Sequence, residues 1–159
     1  MINILNMQSP VFCALKQIAQ NTPDFETFKE NLIDELIKRD PESHHIDGIN
    51  PYSYINFPLQ DINICDITNS DNLLDRADMQ IINIKRGVPG GHGVAIGRHV
   101  QSPIAVKMTD TGTYDIIDGF HRPLQSIMNG DKTILAFIVD GNVGLTLKEF
   151  YNQARIGLS

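Results

Sequence analysis

Cysteine is scarce, and the two present, Cys13 and Cys65, belong to no C-x-x-C or Cys-His spacing. That excludes a disulfide framework and a structural zinc site, and it fits a reducing compartment in which both thiols fill apolar core space. No run of eighteen apolar residues occurs, nor a basic segment leading into an apolar one at the start. Neither a membrane span nor a signal peptide is therefore expected, and the chain reads as soluble and cytoplasmic. Internal repeats and low-complexity tracts are absent as well. The acids have a gap of their own. From Met79 to Thr109, thirty-one residues, there is no Asp or Glu, while Lys85, Arg86, Arg98 and Lys107 supply four positive charges beside His92 and His99. A cationic stretch in a chain of net charge −6 and pI near 5.2 suits a small anionic ligand. It suits nucleic acid less, because Lys and Arg supply most of the affinity for a phosphate backbone.

What remains is a globular composition, 42% apolar and 20% charged over 159 residues, enough to bury one core without covalent staples. Pro10 to Gln20 reads as a short helix. Thr22 is expected to cap a second, with Pro23 at its first position, Phe25, Phe28, Leu32, Leu36 and Ile37 on one face, and an end near Arg39 and Asp40. Pro41 to Pro51 is a polar linker, and its His44, His45 and Asp47 lack a third ligand at any recognisable metal spacing. Strands are expected at Tyr54 to Leu59 and Ile62 to Ile67, then a helix over Leu73 to Lys85 with Leu74, Ala77 and Ile81 inward. A last helix starts at Thr146, with Glu149 placed for a capping box, and runs to about Arg155. The fold class is mixed α/β.

The most informative segment is YDIIDGFHRPL, Tyr114 to Leu124. Ile116 and Ile117 are β-branched and suit a buried strand, Gly119 permits a tight turn or close ligand approach, and Pro123 suits a helix start. His121 and Arg122 then stand where unpaired backbone N–H groups and a guanidinium would meet an anion such as phosphate. Pro123 removes one N–H from that end. The alternative is a structural corner, with Asp118 and Arg122 paired and His121 filling a polar gap. PIAVKM (Pro103 to Met108) precedes the segment through an Asp110-Thr111-Gly112 turn, and NGDKTILAFIVDG (Asn129 to Gly141) follows it. The order is strand, hairpin, strand, short helix, strand.

With these residues the chain resembles the ParB/sulfiredoxin-like superfamily over about Phe57 to Gly141. The resemblance implies a small mixed sheet with flanking helices at 51–159, preceded by a helical extension and linker at 1–50. It implies a nucleotide-phosphate site at Gly119, His121 and Arg122, binding ATP or ADP with magnesium. Asp118 is then the metal ligand or general base, His121 its catalytic companion, and a small phosphotransferase or nucleotide hydrolase the expected activity. In sulfiredoxins the residue before His-Arg is the reactive cysteine. Here it is Phe120, so reduction of a sulfinic acid has no nucleophile there. Partition-type ParB proteins continue into a DNA-reading helix-turn-helix, whereas this chain stops about twenty residues after the matching strand. The pattern DGFHR is nearer the free-serine kinases of this fold, some of which take a base from an earlier segment; Asp61 and Asp66 hold such positions. A ParB-like nuclease or DNA-processing role is a second reading. A non-catalytic interaction or inhibitor protein, docking through its N-terminal helices, is a third.

Arg86 to His99, RGVPGGHGVAIGRH, carries five glycines but neither a Walker A Lys-Ser/Thr nor the dinucleotide spacing. It reads either as a closing lid whose Arg98 reaches the phosphates or as a solvated loop.

Overall fold

A computed structural model describes residues 9–39, 54–87, 100, 102–119, 121–141 and 143–156. Arg98 and the glycine-rich segment around it, His44, His45 and Asp47, and Phe120 lie outside the described residues. Four strands form one mixed sheet: β1 (Leu59–Asn63), β2 (Ile104–Met108), β3 (Tyr114–Asp118) and β4 (Thr133–Asp140), in the spatial order β1-β4-β2-β3. β4 runs parallel to β2 and antiparallel to β1, and β2 and β3 form an antiparallel hairpin. The helices are α1 (Pro10–Gln20), α2 (Phe25–Arg39), α3 (Ser70–Lys85), α4 (Arg122–Met128) and α5 (Leu147–Ala154). The mixed α/β class read from the sequence is the one observed.

The run ILAFIV in β4 is apolar without alternation because both faces of the central strands are covered. Leu135 and Phe137 join Leu59 in a core completed by α1, α2 and α5, while Ile134, Ala136 and Ile138 join Ile62, Ile104, Val106 and Leu73 of α3 on the other face. Ala77 of α3 meets Leu124 and Met128 of α4 in a third cluster. The result is three layers: helices, sheet, helices. Phe150 stands edge-on to Phe12 with centroids 5.4 Å apart and stacks on Phe28 at 6.3 Å. The apolar faces of α1 and α2 are thus occupied inside this chain's own core, which residues of 51–159 complete. Asp61 on β1 ties α1 to the sheet, because its carboxylate accepts from both the backbone N–H and the hydroxyl of Ser9, the α1 N-cap.

Several expectations needed correction. Thr22 does not cap α2. Its hydroxyl donates to Ile18 O at 2.6 Å and closes α1, while Asp24 caps α2 by accepting from the N–H of Thr27 at 2.9 Å and from its hydroxyl at 3.0 Å. Those bonds favour the carboxylate and hold Asp24 below its usual pKa. The two strands expected between Tyr54 and Ile67 are one. Tyr54–Phe57 is a turn closed by Phe57 N–H to Tyr54 O at 3.0 Å, β1 begins only after Pro58, and Ile64–Asp66 is a 3-10 turn. On α3, Leu73 and Ala77 point inward, whereas Leu74 is 45% exposed. Cys13 and Cys65 are exposed free thiols, not core fillers. The capping box of α5 is present, with Glu149 N–H to Thr146 Oγ1 at 3.1 Å and Thr146 N–H to Glu149 Oε1 at 3.2 Å. No helix among the described residues is long and apolar enough to cross a membrane.

Candidate functional site

β3 ends at the outer edge of the sheet, and the chain turns from it into α4 through Gly119. The turn is closed by Arg122 N–H to Gly119 O at 3.1 Å, and Gly119 lies in the left-handed region at φ +88°. A β-carbon there would come within 2.9 Å of Ile104 Cγ2 and 3.0 Å of Arg122 Nη1. A side chain here would take a strained backbone and force Ile104 or Arg122 to shift, so the position favours glycine for both conformational and steric reasons. The glycine therefore lets the Arg122 side chain fold back beneath β2. There Arg122 Nη1 donates to the carbonyl of Pro103 at 2.6 Å. Burial lowers the Arg122 pKa from its ordinary value to about 10, since removing water disfavours the charged form.

His121 occupies the N-cap of α4, and Pro123 follows Arg122 at the second helical position, one later than expected. The His121 side chain is half-buried and its Nδ1 is sealed from solvent. Its carbonyl accepts from Gln125 N–H at 3.1 Å, which starts the helix. Gln125 and Ser126, in the next turn, are buried polar residues. The structure thus gathers Gly119, His121 and Arg122 at one corner.

Asp118 is aimed differently. Opposite residues of a β ladder share a face, and the register passes from Val106↔Ile116 to Ala105↔Asp118, one step on β2 against two on β3. Ile117 is the extra residue of this bulge. Without it Asp118 would face α4. With it Asp118 shares the face of Ala105 and, through the pairing Ala105↔Phe137, of Phe137. Tyr54 stacks on Phe137 with centroids 6.4 Å apart, and the Tyr54 phenol is held above its usual pKa, first by burial and second by the Asp118 charge. Tyr54 is therefore a neighbour of the candidate site that the sequence did not single out. No motif signals a bulge, and the sequence pattern predicts strand where the turn holding Tyr54 stands.

The earlier carboxylates do not converge on this corner. Asp61 serves Ser9, and Asp66 is exposed in the 3-10 turn, where its charge acts on Tyr114. Lys107 pairs with Asp140 at 4.0 Å on the surface. Among the described residues no three His, Cys, Asp or Glu side chains come together as a metal cage. A magnesium ion here would draw at most one carboxylate, Asp118, from the described motif, the remaining ligands being phosphate oxygens and water; that division is usual for this cation. Neither a family model nor a curated protein matches the chain.

Proposed function

We propose that this chain is a nucleotide-phosphate-binding domain of the ParB/sulfiredoxin-like kind, acting as a small phosphotransferase or nucleotide hydrolase on ATP or ADP. The observation that carries the reading is the corner at Gly119 to Arg122. A guanidinium is drawn out of water beside a glycine where any side chain would be strained and crowded, and both stand at the sheet edge where the backbone turns into α4. A phosphate entering there would add charge-assisted hydrogen bonds to the Arg122 guanidinium. Support also comes from the order of elements: β1, α3, the β2–β3 hairpin, α4, then β4 parallel to β2. Phosphoryl transfer asks little covalent chemistry of a protein, so positioning and charge neutralisation by Arg122 and His121 would suffice. Asp118, facing Tyr54 at the rim, would hold magnesium or take the proton of the acceptor. When bound, magnesium would neutralise phosphate charge. Arg98 would add a second cation from the glycine-rich segment.

Isothermal titration of the protein with ATP, with and without magnesium, tests the proposal. Binding by the native chain that disappears in Arg122→Gln, with an unchanged circular dichroism spectrum, is the expected result. Equal affinity in the two proteins would remove Arg122 from the site and the nucleotide reading with it. Nicking of DNA by the native chain, without nucleotide turnover, would replace it by the nuclease reading.

A further inference from the structure

Only one side of α3 is used inside the chain. Leu73 joins the core under the sheet and Ala77 meets Leu124 and Met128, while the opposite side of the helix is open. On that open side Asp71, Asp75, Asp78, Ile82 and Lys85 recur at alternating steps of four and three residues, and all are exposed. Side chains at that spacing form one continuous stripe along a helix. Leu74, Met79 and Arg86 flank the stripe and are exposed as well. Of the five large hydrophobics exposed among the described residues, three (Leu74, Met79 and Ile82) therefore lie on this one face, which concentrates apolar surface there.

The charges of the face are sorted by sign along the helix. Its first half carries Asp71, Asp75 and Asp78, and its end carries Lys85 and Arg86. None of these five belongs to an ion pair among the described residues. Over 70–86 the three acids are matched by Arg76, Lys85 and Arg86, so the segment is neutral in a chain of net charge −6. Two copies that repel each other elsewhere can therefore approach here. A helix acidic at one end and basic at the other is complementary to a copy of itself lying antiparallel, whereas a parallel copy would set acid against acid. A two-fold axis gives that antiparallel arrangement and lets both copies use the same patch.

We propose that the exposed face of α3 is the contact between two copies of this chain, related by a two-fold axis with their α3 helices antiparallel. With the axis level with the midpoint between Met79 and Ile82, Met79 meets Ile82 of the second copy, and Asp75 and Asp78 stand across from its Arg86 and Lys85. The aliphatic stem of Lys85 lies along Leu74 of the second copy. A helix of 16 residues offers a footprint of about 24 by 10 Å, smaller than the roughly 800 Å² per partner of a standard interface, so the dimer is weak and depends on concentration. The contact is separate from the corner at Gly119 and does not depend on the nucleotide reading.

Sedimentation equilibrium of the full chain, from micromolar to millimolar concentration, tests it. The expected result is an average mass that rises from that of one chain toward that of two. Lys85→Glu with Arg86→Glu, and Asp75→Lys with Asp78→Lys, each bring like charges face to face and should raise the Kd at least about tenfold. All four positions are exposed, and circular dichroism checks that both variants are folded. An equimolar mixture of the two variants restores opposite charges at every contact and should dimerise at least as strongly as the native chain. A native chain that stays monomeric at millimolar concentration would overturn the proposal and leave the face to a partner of another kind. Native-like association of either folded variant, a mixture that associates no more strongly than its components, or growth beyond a dimer would overturn it as well.

Discussion

Replacing Gly119 by alanine isolates what the corner at the end of β3 demands. A left-handed backbone costs an L-residue about 1–2 kcal/mol wherever it occurs, and Gly119 (φ +88°) and Gly112 (φ +81°) both adopt one. Their surroundings differ. A β-carbon at Gly112 meets nothing within 4 Å, whereas at Gly119 it meets Ile104 Cγ2 at 2.9 Å, Arg122 Nη1 at 3.0 Å and Arg122 Cδ at 3.3 Å. Relieving such overpacking typically costs about 1–3 kcal/mol. The gain from stiffening the unfolded chain, about 0.4–1 kcal/mol, is common to both variants and cancels in the comparison. Gly119→Ala should therefore lose about 1–3 kcal/mol more than Gly112→Ala. Urea denaturation with unchanged m-values measures both. Displacing Arg122 Nη1 should also weaken phosphate binding in Gly119→Ala and leave it intact in Gly112→Ala. Equal stability losses would refute the reasoning, since Ile104 and Arg122 would then yield freely and the corner would not be a fixed pocket.

Other consequences follow from the same geometry. Phe150→Ala, which removes a fully buried ring lying between Phe12 and Phe28, should lower stability by about 3–5 kcal/mol in the same assay. Ser9→Ala should cost about 1 kcal/mol through loss of the α1 cap, and Asp61→Ala should weaken the same junction, so the double variant should show non-additive losses. Because the Asp24 pKa is lowered in the folded state, its contribution is complete above the ordinary value of 3.8 and is lost as pH falls through the lower folded value. Asp24→Ala should therefore be less stable than the native chain at neutral pH, with the difference shrinking on acidification below about pH 4.

Much of the architecture is legible in the sequence because single residues announce it. Asp110-Thr111-Gly112 closes the β2–β3 hairpin, with Thr109 N–H to Thr113 O at 2.8 Å, and the unbroken ILAFIV run marks a strand covered on both faces. Thr146 and Glu149 announce α5 by reciprocal hydrogen bonds that need only their spacing. Where two residues compete for one role, local pattern is insufficient. Thr22 and Asp24 both suit an N-cap, and the outcome depends on α1 ending where the Thr22 hydroxyl reaches back to Ile18. Leu74 satisfies a helical stripe as well as Leu73 does, but Leu73 is covered by the sheet and Ala77 by α4, which leaves Leu74 exposed. The candidate site divides in the same manner. That Gly119 permits a tight turn is readable from the sequence, and the crowding by Ile104 and Arg122 is not. The re-aiming of Asp118 toward Tyr54 is not readable either, because an inserted residue in a strand leaves no signature when Ile116 and Ile117 are equally apolar.

The most direct test of the central claim is a thermal-shift measurement with ATP, ADP, CTP, GTP and inorganic phosphate, with and without magnesium, on the native chain and on Arg122→Gln. A ligand that binds only the folded state stabilises it by about 2.7 kcal/mol at a hundred times its Kd, a readily measured rise in Tm. The account predicts such a rise for at least one nucleotide in the native chain and its loss in the variant. No rise with any of them, or an equal rise in both proteins, would contradict it.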